Sequence, residues 1–133
     1  MQIAINLPVT DLKRSMDFYA QLGFVNNPNF TDHTAAAMTL SEEVIVMLLT
    51  HSKFNEFTKK KIANTQEVIA VINSLSVENR DAVDSLVAKA LKAGATETLS
   101  NQDMGFMKVR GFADPDGHQW EAFFMDMTQM PTE

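Results

Sequence analysis

The chain passes twice through one order of elements (strand, helix, strand, strand, strand), and that repetition constrains its fold more than any other feature. Ile3 to Val9 is a short apolar strand closed by Pro8 and Thr10. Asp11 then serves as a helix N-cap, since its short carboxylate can accept from the free amides of the first turn. Leu12, Ser15, Met16, Tyr19 and Leu22 recur at helical spacing up to Gly23, which suits a helix C-terminus. Phe24 to Phe30, Thr34 to Leu40 and the almost unbroken apolar run Val44 to Leu49 read as three strands, with Ser41-Glu42-Glu43 turning the chain between the last two.

The second half repeats the order. Val68 to Val77 reads as a strand and Asn79 as an N-cap, and Val83, Leu86, Val87, Ala90 and Leu91 form an apolar helical face that ends at Gly94. Ala95 to Leu99, Phe106 to Phe112 and Gln119 to Met125 supply the remaining strands. Asn6-Leu7-Pro8-Val9 aligns with Ser74-Leu75-Ser76-Val77, and Asp11 with Asn79. The expected class is α+β, built from duplicated βαβββ modules. The 133 residues divide into a module over 1–50, a linker over 51–67, a module over 68–126 and a tail over 127–133, all within one domain.

In the linker, Phe54, Phe57 and Ile62 share roughly one helical face beside Lys59-Lys60-Lys61. Two readings follow: a short helix that packs two phenylalanines, or a lid over a cavity, because long connections in compact domains are often functional.

Composition removes several function classes. A formal charge of −6 argues against non-specific nucleic-acid binding, which depends on basic surface. With no cysteine, disulfides, thiolate nucleophiles and cysteine–zinc sites are excluded. No apolar run approaches the roughly 18 residues of a membrane span, so a cytoplasmic protein without membrane or nucleic-acid partners is expected. His33, His51 and His118 read as surface histidines at turns and in the linker.

The densest local signal is Asp114-Pro115-Asp116-Gly117-His118-Gln119-Trp120-Glu121-Ala122-Phe123-Phe124, a tight polar turn feeding a strand with one carboxylate. Pro115 fixes the φ wanted at the second turn position, Asp114 can bond back to the turn backbone, and Gly117 tolerates positive φ. Glu121 is costly to bury unpaired in such a strand, so it should face solvent, a partner or a polar cavity.

This ending, with the opening Asn6-Leu7-Pro8-Val9-Thr10-Asp11 through Phe18-Tyr19 and Gly23-Phe24, resembles the vicinal oxygen chelate superfamily. That group contains glyoxalase I, bleomycin-resistance and fosfomycin-resistance proteins and extradiol dioxygenases. The resemblance covers essentially the whole chain. It implies two four-stranded sheets joined as a cup-shaped, eight-stranded mixed sheet, and a homodimer. Metal-dependent members place histidine, glutamate or glutamine ligands on the first and last strands of each module. Here those positions fall on Ala4, near Leu48, on Ile72 and on Glu121, so only the last is retained. One carboxylate does not hold Zn²⁺, Fe²⁺ or Ni²⁺ in a catalytic geometry. No cofactor is expected.

Strand alternation places Gln119, Glu121 and Phe123 on one face, and the repeat adds Asn6 and Ser74 as inward residues. A four-residue turn over Asp114 to Gly117 would set Arg110 opposite Glu121. The pair is then either a structural neutralisation or a ligand site, with Arg110 presenting its planar fork to an acid or phosphate. The expected ligand-binding set is therefore Arg110, Glu121, Asn6, Ser74, Gln119 and Phe123, with Glu121 as the one candidate catalytic base and no metal. The expected function is metal-independent binding of a small, partly apolar molecule; a lyase, isomerase or dioxygenase with a divergent metal site is the alternative.

Overall fold

A computed structural model describes residues 1–129; residues 130–133 of the expected tail lie outside the described residues. The chain divides into two compact units, Met1–Val68 and the residues from Ile69 on. In the first unit β1 (Ile3–Val9), α1 (Leu12–Gln21), β2 (Val25–Thr31), β3 (Ala35–Thr39) and β4 (Val44–Thr50) precede one helical turn, α2 (His51–Phe54). The second contains β5 (Asn73–Ser76), α3 (Arg80–Lys92), β6 (Thr96–Asp103), β7 (Met107–Ala113) and β8 (Gln119–Met125), followed by a 3₁₀ turn at Met127–Gln129. Among the described residues, no helix is long and apolar enough to cross a membrane.

Each unit is a four-stranded mixed sheet with the same connectivity, ordered β1-β4-β3-β2 in one and β5-β8-β7-β6 in the other. The first and last strands of each unit lie side by side in parallel, and the remaining pairs are antiparallel. A parallel pair needs a crossover connection, and the helix following the first strand provides it. The two helices begin alike. The Asp11 carboxylate accepts from the Arg14 amide at 3.0 Å, and the Asn79 side chain accepts from the Ala82 amide at 2.7 Å. They also end alike, because Gly23 and Gly94 take positive φ (98° and 114°) directly after the last turn, a conformation that costs glycine little.

Both sheets bury the face that meets the long helix. In the first unit Leu7, Val9, Met38, Val46 and Leu48 are buried with Phe18 and Tyr19 of α1. Tyr19 meets Phe18 and Phe24 edge-on, with ring centroids 5.0 and 5.3 Å apart. In the second unit Val83, Val87 and Ala90 of α3 are buried, as are Phe112, Trp120 and Ala122 of the sheet. Full burial of such a side chain stabilises by roughly 1.5–3 kcal/mol, so these residues fix the helix-facing side of each sheet.

Several elements differ from expectation. Strand β5 spans four residues rather than the run from Val68, and Val68, Ile69, Val71 and Ile72 are exposed. The cause is its only sheet neighbour: Asn73 pairs with Trp120, so residues before Ile72 would extend past the start of β8 and find no ladder partner. The linker helix is one turn long, and Phe57 is exposed with Lys53 over its ring at 5.6 Å rather than packed. Strand β6 runs on to Asp103, with two register shifts against β7. The irregular pairing of edge strand β2 falls on Asn27-Pro28-Asn29, where proline cannot donate to a ladder. His118 is buried, whereas His33 and His51 are exposed.

Candidate functional site

The hairpin that carries Glu121 closes on a compact polar turn. The Asp114 amide donates to the His118 carbonyl at 2.9 Å, and the Asp114 carboxylate accepts from the amides of Asp116 and His118, each at 2.9 Å. Gly117 takes φ of 92°. Asp114 and His118 thus form the last rung, and the turn between them has three residues, Pro115 to Gly117, one fewer than the four-residue turn expected. Ala113 therefore pairs with Gln119, Arg110 with Ala122 and Gly111 with Glu121.

That single residue overturns the expected Arg110–Glu121 pair. Neighbours along a strand point to opposite faces, so a one-residue slip sends the whole of β7 to the other side relative to β8. Arg110 lies on the α3 side with Ala122. Its guanidinium donates from Nη1 to Asp84 Oδ1 at 3.1 Å and from Nη2 to Glu97 Oε2 at 2.5 Å. Lys108, two residues earlier on the same face, donates to Asp84 Oδ2 at 2.7 Å. These partners hold the Asp84 carboxyl below the usual range, the Lys108 bond first and the Arg110 bond next, and hold the Arg110 guanidinium above its ordinary value, chiefly through Glu97. Arg110 Nε is buried without an acceptor among the described residues. Arg110 is thus committed to the helix side of its sheet and is withdrawn from the ligand-binding set.

The other expected residues of the second unit do share a face. Gln119, Glu121 and Phe123 alternate with buried Trp120 and Ala122, so they point away from α3. Ser74 pairs with Glu121 across the parallel β5–β8 ladder, and its hydroxyl lies 3.3 Å from Glu121 Oε1. On the opposite flank stands Gly111, which offers no side chain. A Cβ there would lie 2.7 Å from Thr98 Oγ1 and 3.0 Å from Leu99 Cβ, because the β6 bulge folds those residues over the glycine. Glu121 is thus flanked by the Ser74 hydroxyl on one side and, on the other, by Gly111 with Thr98 and Leu99 lying over it. The bulge and its partner glycine escaped sequence reasoning; Gly111 inside an apolar strand was the available signal.

In the first unit Asn6 pairs with Met47 and Ala4 with Ile45, on the side away from α1. Leu48 is fully buried on the α1 side beside Leu7, so it cannot be the position that corresponds to a ligating glutamate; Met47 is. The two sheets therefore match in placement: Asn6 beside Met47 in one, Ser74 beside Glu121 in the other. Among the described residues, no three His, Asp or Glu side chains gather as a metal would require.

The model of the Glyoxalase/Bleomycin resistance protein/Dioxygenase superfamily matches residues 2–122. The chain belongs to this superfamily. A hypothetical protein, SA1046 from S. aureus, is 26% identical, with 93% of each chain covered and a TM-score of 0.80. A glyoxalase/bleomycin resistance protein/dioxygenase family enzyme from Burkholderia phytofirmans PsJN is 18% identical over 92% of this chain and 96% of its own, with a TM-score of 0.77. The fosfomycin resistance protein FosX from Mesorhizobium loti is 14% identical over 97% and 95%, with a TM-score of 0.70. At such identities the last two speak for the glyoxalase fold alone. No curated protein matches the chain.

Proposed function

We propose that this glyoxalase-superfamily chain binds a small, partly apolar molecule without a metal ion, using the sheet faces turned away from α1 and α3. The observation that carries the reading is the donor set on those faces. Asn6 and Met47 stand in one unit, Ser74 and Glu121 in the other. Neither an amide with a thioether, on the first unit, nor a hydroxyl with one carboxylate, on the second, fits a divalent transition ion, which takes imidazole, thiolate or several carboxylates. They do suit a ligand held by a few directed hydrogen bonds over apolar surface, here supplied by Phe123, Val109 and Met47.

Sequestration or carriage is the function proposed, with Ser74, Gln119, Glu121 and Phe123 as the binding residues of the second unit and Asn6 as that of the first. The alternative, a lyase, isomerase or dioxygenase of the same superfamily, rests on the retained Glu121, which could act as a general base. We also propose a homodimer, since short β5 and strand β1 are sheet edges that a second copy can cover.

Elemental analysis of protein purified without added metal tests the metal-free reading, and substoichiometric Ni, Zn and Fe are expected. About one equivalent of any of them, lost in Glu121→Ala, refutes it. Native mass spectrometry for a co-purifying small molecule tests binding in the same sample.

A further inference from the structure

We infer that the ligand of the Glu121 face carries a cationic group, an ammonium or guanidinium, on an apolar body. The inference rests on the binding reading above and specifies its ligand class. Charge is segregated across the sheet of the second unit. Lys108 and Arg110, the two cations of β7, both point toward α3, where Asp84 and Glu97 already pair with them. On the opposite face, Glu121 is the only ionisable side chain that β5, β7 and β8 present. Its neighbours there are neutral: Ser74, Gln119, Phe123, Val109 and Gly111.

Among the described residues the Glu121 carboxylate has one hydrogen-bond partner, the Ser74 hydroxyl at 3.3 Å, and no ion pair. A carboxylate accepts at about four lone-pair sites, so most of its capacity is open. The cross-strand neighbour on that flank is Gly111, over which the uncharged Thr98 and Leu99 lie, so no cation is supplied from that side either. A carboxylate half withdrawn from water, with open acceptor sites and uncharged flanks, favours a cation that brings several N–H donors. An anion meets repulsion with no compensating cation on that face, which reverses the preference expected from an Arg110 site.

Isothermal titration with a matched set of probes tests this: 4-phenylbutylamine, 4-phenylbutanol and 4-phenylbutyrate. The amine is expected to bind at least about tenfold more tightly than the alcohol, a charge-assisted hydrogen bond being the difference, and the acid more weakly than both. Glu121→Gln, an isosteric change, should remove the amine's advantage over the alcohol. Raising the salt concentration should weaken only the amine in the unaltered protein. Equal affinity for amine and alcohol, tighter binding of the acid, or an amine advantage that survives in Glu121→Gln overturns the cation preference and leaves the binding function standing. Failure of all three probes to bind overturns both.

Discussion

Removing Asp84 should harm this protein far more than removing Arg110, although the two are bonded to each other. Lys108 is 8% exposed, and its ammonium has Asp84 Oδ2 at 2.7 Å. Asp84→Ala strips that acceptor and leaves a nearly buried charge behind. Breaking a buried pair costs about 3–5 kcal/mol. The Asp84 side chain is itself 47% exposed, so water can enter where the carboxylate was, and the expected loss falls to about 1.5–3 kcal/mol. Arg110→Met acts differently. It removes a guanidinium whose Nε is already buried without an acceptor, keeps an apolar stem in place, and returns the part-exposed Glu97 to solvent while Asp84 retains Lys108. The expected cost is below about 1 kcal/mol. Equilibrium urea unfolding separates the two. With a slope near 2 kcal/mol/M, Asp84→Ala should lower the midpoint by about 1 M and Arg110→Met by less than about 0.5 M. Adding Lys108→Met to Asp84→Ala should recover most of the loss. An Asp84→Ala shift under about 0.25 M, or a larger shift in Arg110→Met, would refute the reasoning.

Acid should expose the same cluster. The Asp84 carboxyl is depressed in the folded state, so its contribution is complete above the unfolded value of about 3.9, declines below it, and is gone once pH falls under the folded value; Asp84→Asn should therefore flatten the acid limb of urea midpoints between about pH 6 and 2. Only part of the limb should go, because Asp126 and Asp32 are depressed as well. Gly111→Val drives a Cβ to 2.7 Å from Thr98 Oγ1 and should cost about 1–3 kcal/mol by thermal or urea unfolding, with Thr98→Ala recovering part of it. Sedimentation velocity at micromolar concentration should show the proposed dimer, and a lone monomer boundary would remove it.

Most of the architecture was legible because it is written in periodicity. The two caps, most of the two helical faces and the apolar run of β4 follow from local rules, although Leu91 of the expected α3 face is exposed and buried Phe18 lay outside the expected α1 face. What failed were facts set by a neighbour rather than by the segment itself. Val68 to Ile72 has strand composition, yet a strand needs a ladder partner and β8 does not extend far enough back. The placement of Arg110 depended on whether the Asp114 turn closes with Ala113 or with Asp114 itself. Both closures satisfy the same turn residues, so the sequence alone could not choose between them, and the choice decides which face receives the charge. Glu121, Ser74, Gln119 and Phe123 were found together because alternation within β8 and the repeat needed no turn geometry.

The parallel pairing of first and last strands has a kinetic consequence. Ile3 must find Val44, and Asn73 must find Trp120, with a helix and two strands in between. Neither sheet can close as it leaves the ribosome until its final strand has been made. The hairpins β3–β4 and β7–β8 join sequence neighbours and can form early. Until the last strand arrives, each opening strand has no ladder partner. Each opening strand therefore depends longest, within its own unit, on being kept from other chains.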